Sequence, residues 1–181
     1  MKSVRKMLLV AGAVAALTAA PALATDTVTQ AITQGTLSAS VADLALPSLT
    51  YAHTAQNSSG MMTLTADDST GTAQGWNVTI QSTAFVYAGA YAGANIPAAN
   101  FSLTSVGTPS TDAGQAVDGV NGPRSVTTTG TLDSARKVIQ STVGYGVGRY
   151  SQSLGVTLAV PAQARVGTYT GTLITTITAG P

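Results

Sequence analysis

Cysteine and glutamate are both absent from the 181 residues, and there is one histidine and one tryptophan. Without cysteine there is no disulfide and no thiolate ligand, so stability has to come from a packed core and a hydrogen-bonded sheet. Without glutamate, the twelve-residue EF-hand loop lacks its terminal bidentate carboxylate. His53 stands alone, and zinc would need aspartates for its other ligands, an unusual set. Just after Tyr51, it reads as a surface residue at a strand end. No serine sits in a G-x-S-x-G elbow, so no hydrolase nucleophile is marked. Charged residues make up only 8% of the chain, which leaves no basic footprint for nucleic acid or anionic lipid. No catalytic constellation, cofactor motif or metal cluster emerges, and the chain reads as non-enzymatic.

The first 24 residues have their own character. Lys2, Arg5 and Lys6 precede an uncharged apolar run from Met7 to Ala20, and Ala22-Leu23-Ala24 supplies an A-x-A cleavage site before Thr25. That is the pattern of a secretory signal peptide, with an apolar run shorter than the roughly 20 residues a spanning helix needs. Three of the eight basic residues lie in this leader. Five remain against seven aspartates, so the net charge moves from +1 to −2. Nothing later is apolar and long enough to span a bilayer as a helix. The expectation is a secreted protein with one domain over residues 25–181.

What that domain does contain is threonine, serine, valine, alanine and glycine, a composition that suits pleated surfaces and their turns. Trp76, Val78 and Ile80 alternate with Asn77, Thr79 and Gln81, a period of two with one apolar and one polar face. Burying Trp76 would remove about 200 Å² from water, and Gly75 gives the backbone room to bend beneath it. Met62, Leu64 and Ala66 form a second alternating run, expected to pair with the Trp76 strand through the Asp67-Asp68 turn. Phe101 to Ser105, Val126 to Thr131, Lys137 to Val143, Leu154 to Val160 and Tyr169 to Thr178 supply the other strands. Gln56 to Gly60 reads as a turn cluster, and Thr108 to Arg124 as a long loop. Thr25 to Ser40 is polar and weakly alternating, an edge strand or an arm. The spacing of short strands and turns predicts an all-β fold, an antiparallel two-sheet β-sandwich of Ig-like, Greek-key type.

Few side chains compete for a functional role. Asp67 and Asp68 are the candidate carboxylates for a loose calcium site, with turn-forming Asx hydrogen bonds as the plainer account. Gly144, Gly146 and Gly148 lack the βαβ setting of a nucleotide loop and read as backbone freedom. Tyr87, Tyr91, Tyr145 and Tyr150 are candidate loop contacts.

Two stretches resemble the WxL domain of bacterial surface proteins. One is Asp68 to Phe85, with Gly75-Trp76-Asn77-Val78-Thr79 at its centre. The other is Gly144 to Pro181, with Gly167-Thr168-Tyr169-Thr170-Gly171-Thr172-Leu173 and Ile177. The first W-x-L triplet stands as Trp76-Asn77-Val78, and the second is degenerate, Thr175-Thr176-Ile177, without its tryptophan. The resemblance implies a β-rich module that holds non-covalently to the cell wall at the cell surface, with peptidoglycan as ligand. Gly75, Trp76, Val78, Tyr169, Leu173 and Ile177 are then its motif residues, either wall-binding or core. The expected partners are wall polysaccharide or other surface proteins. An alternative is a structural subunit of a filament or coat, in which the Thr25 to Ser40 arm completes a neighbour's sheet by strand addition.

Overall fold

The computed structural model describes residues 27–126 and 129–181. The leader expected over residues 1–24 lies outside the described residues. So do Thr127 and Thr128, inside one expected strand. Residues 27–32 carry no strand. Residues 33–181 form a separate compact unit, with no α-helix among the described residues.

The described residues of the unit form twelve strands. In chain order they are β1 (Leu37–Val41), β2 (Gln56–Asp68), β3 (Trp76–Ser82), β4 (Val86–Ala88), β5 (Phe101–Val106) and β6 (Ser110–Gly114). They continue as β7 (Arg124–Ser125), β8 (Gly130–Thr131), β9 (Arg136–Ser141), β10 (Gly148–Val160), β11 (Thr168–Thr170) and β12 (Leu173–Ala179). One sheet runs β1-β2-β10-β5-β8, with β6 paired to the first half of β10. A second runs β12-β3-β9-β7, and β4 pairs with β11 in a short ribbon. All pairings are antiparallel, and strands distant in sequence lie side by side. This is the two-layer β-sandwich with Greek-key crossings that the alternation predicts.

The core sits between the two larger sheets. Met62, Leu64 and Ala66 of β2, Tyr150 and Leu154 of β10, and Leu103 of β5 meet Trp76, Val78 and Ile80 of β3 and Ile139 of β9. Alternation explains most of this, because every second residue of β3, and of β2 from Met62 onward, is buried. The exception has a cause. The register of β9 against β3 slips between Val78 and Thr79, a bulge that lets both Val138 and Ile139 turn inward. Gln152 of β10 is also buried, and its Nε2 donates to the carbonyls of Gly107, at 2.8 Å, and Val138, at 3.2 Å. One amide thus ties one sheet to the bulge of the other.

Several expectations change here. β2 does not pair with β3: Asp67 and Asp68 are the last residues of β2 rather than a turn, and the link over residues 69–75 carries the chain from one sheet to the other. Gln56 to Gly60 is the first part of β2, paired from Gln56↔Val160 to Gly60↔Val156. Its turn-prone residues fit because Ser58 Oγ donates to the Pro47 carbonyl, at 2.9 Å, and Gly60 leaves room for Leu44 and Leu46. The long loop from Thr108 contains β6. The final strand is broken into β11 and β12, with Thr83 bonding Thr172 at the break. Of the expected arm, Leu37 to Ser40 belongs to β1, an edge strand paired with β2.

Candidate functional site

Trp76 is fully buried at the end of β3. Its Nε1 donates to the Gly146 carbonyl, at 2.9 Å, and its ring lies 6.0 Å from that of Tyr150. Gln115 completes the knot: its Oε1 accepts from the Gly146 N–H, at 2.8 Å, while its carbonyl accepts from the Tyr150 hydroxyl, at 2.8 Å. Gly146 is therefore not there for looseness. Gly146 has φ +83° and packs against the Trp76 indole and Ser141, where no Cβ fits.

Tyr150 is thus removed from the candidate loop contacts, because alternation along β10 points it into the core. Burial, and secondarily the negative charge of Asp68, raises its hydroxyl from the ordinary 10.0 to about 12. The folded state favours the neutral phenol, so its stabilisation is complete below pH 10.0 and is lost as pH rises through about 12. An alkaline titration that follows tyrosinate absorbance and far-ultraviolet dichroism together tests this. One of the six tyrosines should ionise only as the strand signal disappears. Ionisation of all six with the fold intact would contradict it.

The candidate carboxylates do not converge either. Asp67 and Asp68 are successive residues of β2 and point to opposite faces, with Asp68 buried and Asp67 half-buried. One Asp68 oxygen accepts from the Thr70 N–H, at 3.0 Å, and from the Thr70 hydroxyl, at 2.6 Å, the Asx turn that closes this corner. Among the described residues no group of three metal-ligating His, Cys, Asp or Glu side chains forms.

The two W-x-L-like triplets are cross-strand neighbours. Val78 lies opposite Ile177, Ile80 opposite Thr175 and Trp76 opposite Ala179. Leu173, Thr175 and Ile177 are half-buried on the core-facing side of β12, and Gly75, Trp76 and Val78 are buried. These motif residues hold the sandwich together.

Tyr169, by contrast, borders open space. Its ring lies 5.2 Å from that of Tyr87 across the β4–β11 ribbon. The Tyr169 hydroxyl accepts from the Arg165 N–H, at 2.8 Å, and donates to the Arg165 carbonyl, at 3.0 Å. The Tyr87 hydroxyl donates to the Val166 carbonyl, at 2.9 Å. Gly89, Gly93 and Gly167 crowd the Tyr87 ring so closely that none could carry a side chain there. Two tyrosines of the ribbon therefore anchor the turn over residues 165–167.

That turn forms one wall of a cleft of about 530 Å³. The opposite wall is the coil from Leu44 to Thr54, and Phe85, Leu158 and Val160 also line the space. Tyr51, 47% exposed, lies in this wall, its ring edge-on to His53 at 4.9 Å and its hydroxyl 3.3 Å from His53 Nδ1. The size is that of a small-ligand site, and the lining mixes apolar and polar groups in similar measure. Tyr91 is 66% exposed and Tyr145 half-buried, and neither lines the cleft. Tyr51 and Arg165 escaped the reading of the sequence. The sequence reads Leu44 to Tyr51 as an extended segment at a sheet edge, interrupted by Pro47, whereas the structure gives it no strand and leaves it as coil beside the cleft.

A family model described as WxL domain, surface cell wall-binding, matches residues 16–181. The chain belongs to the WxL domain family. No curated protein and no solved structure matches it. The WxL family is a surface domain that binds the cell wall, which places this chain at the bacterial cell surface with the wall as its partner. Among the described residues of this WxL domain no helix is long and apolar enough to cross a membrane. The stretches that carry the motif build both the core, through Trp76 and Ile177, and one cleft wall, through Tyr169.

Proposed function

We propose that this WxL domain is a secreted, non-enzymatic module that binds peptidoglycan or another wall glycan non-covalently, with the cleft between residues 44–54 and 165–171 as the contact. The observation that supports the reading is that the family stretch Gly167 to Gly171 forms a wall of the cleft. Facing it, Tyr51 offers a partly exposed ring on which the apolar face of a sugar can rest while hydroxyls bond the rim. Binding rather than catalysis is supported by the lining itself: no carboxylate borders the cleft, and His53, the one histidine, is engaged with Tyr51.

Co-sedimentation with isolated cell walls tests this. The wild-type protein should pellet, and Tyr51→Ala should weaken binding about tenfold, roughly 1.4 kcal/mol, with an unchanged melting temperature. Wild-type protein left wholly in the supernatant would sink the proposal. Strand addition by the arm has less support, because β1 already spends Leu37 to Ser40 within its own sheet.

A further inference from the structure

Arg165 is the one charged residue that lines the cleft. The other basic side chains of the described residues do not line it. Arg136 Nε donates to the Thr131 carbonyl, and Lys137 Nζ to Gln140 Oε1, at 3.4 Å. Arg124 is half-buried in β7, with its Nε shielded from solvent and without a hydrogen-bond partner. Arg149 stands opposite Asp67 in the β2–β10 pairing, where opposite charges attract across the ladder. Arg165 stands at the cleft itself. It is exposed, its side chain makes no hydrogen bond or ion pair among the described residues, and no acid lines the cleft with it.

Its position is nevertheless fixed. The Tyr169 hydroxyl bonds both the N–H and the carbonyl of Arg165, and Tyr87 holds the next residue through the Val166 carbonyl. A turn clamped at two successive residues sets where the side chain leaves the backbone. In a domain whose charge is −2 once the leader is removed, one cation stands at the cleft. Guanidinium presents a planar fork of donors that matches the oxygens of a carboxylate or a phosphate two at a time.

We infer that the cleft selects an anionic saccharide, with Arg165 pairing its negative group while Tyr51 supports the sugar ring. This rests on the cleft being the glycan contact. The shared chemistry is a multi-oxygen anion on a wall polymer, supplied either by a carboxylate on an acidic amino sugar or by a phosphodiester between polyols. Tyr169 and Tyr87 are positioning residues for Arg165.

Calorimetric titration of the purified protein separates the sources with three probes: neutral chitotetraose, a tetrasaccharide in which alternate N-acetylglucosamines carry an O-lactyl carboxylate, and a glycerol-phosphate oligomer. At least one anionic probe should bind at least about tenfold tighter than chitotetraose, and which one does identifies the source. Arg165→Gln should shrink that gap below about threefold without moving the melting temperature, Arg165→Lys should keep part of it, and added salt should erode it. Equal binding of neutral and anionic probes, unmoved by Arg165→Gln but lost in Tyr51→Ala, would overturn the charge selection and leave the cleft as glycan contact. If no probe binds while the protein still pellets with walls, the cleft reading falls as well.

Discussion

Trp76→Ala should lower the unfolding free energy by about 3–5 kcal/mol, the usual cost of emptying a large aromatic site. The ring is fully buried against Tyr150, so its removal leaves a void among β-strands that cannot close over it. It also strips the Gly146 carbonyl of its donor, an unsatisfied buried acceptor costing about 1–3 kcal/mol. A domain of this size has about 5–15 kcal/mol in all, so the variant should be barely folded at room temperature. Trp76→Phe keeps most of the packing and loses the bond, so its loss should be smaller, about 1–3 kcal/mol. Urea titration followed by far-ultraviolet dichroism gives both values, and it works without the chain's one indole. The same pair of variants separates core from contact. Trp76 does not line the cleft, so folded Trp76→Phe should still sediment with cell walls as the wild type does. A variant that is fully stable yet no longer sediments would make Trp76 a wall-binding residue.

Gly146→Ala should be nearly as damaging, and Gly144→Ala is its control. Both glycines have left-handed backbones, φ +83° and +88°. At Gly144 an added methyl meets open space, so the cost is that of an L-residue in this region, about 1–2 kcal/mol. At Gly146 the methyl would sit 2.4 Å from Ser141 Oγ and 2.8 Å from Trp76 Nε1, so the indole has to move. Overpacking adds about 1–3 kcal/mol to the backbone cost. Thermal melts of the two variants make the comparison. Equal losses would mean that the joint is constrained by backbone conformation alone, and that its approach to Trp76 carries no energy.

Reading these glycines from sequence shows where local inference stops. Their spacing was visible and so was their unsuitability for a nucleotide, but the purpose of Gly146 depends on Trp76, which is 70 residues away in sequence. The same limit explains Gln56 to Gly60. Asn, Ser and Gly favour turns when they are judged by neighbours in the chain. In the folded molecule they pair with β10 and bond the coil of Pro47, and those long-range partners override the local preference. Thr175 is similar. It looked like a motif position that had lost its tryptophan, and its place opposite Ile80 on the core-facing side of β12 appears only once β12 is laid against β3.

Composition and periodicity determined the class of this protein by themselves. A chain with hydroxyl residues alternating against apolar ones can bury one face of each strand and leave the other to water. The burial of Trp76 follows from that alternation, since period two leaves a strand residue only two faces to choose between. Which strands meet, that Tyr150 faces inward while Tyr51 stays partly exposed, and that Arg165 stands beside a cleft were decided only in three dimensions. The physical reason is that an antiparallel ladder forms between any two strands of suitable pattern. Partner and register are chosen by the packing of the whole core, and a cleft exists only where that packing leaves two segments apart.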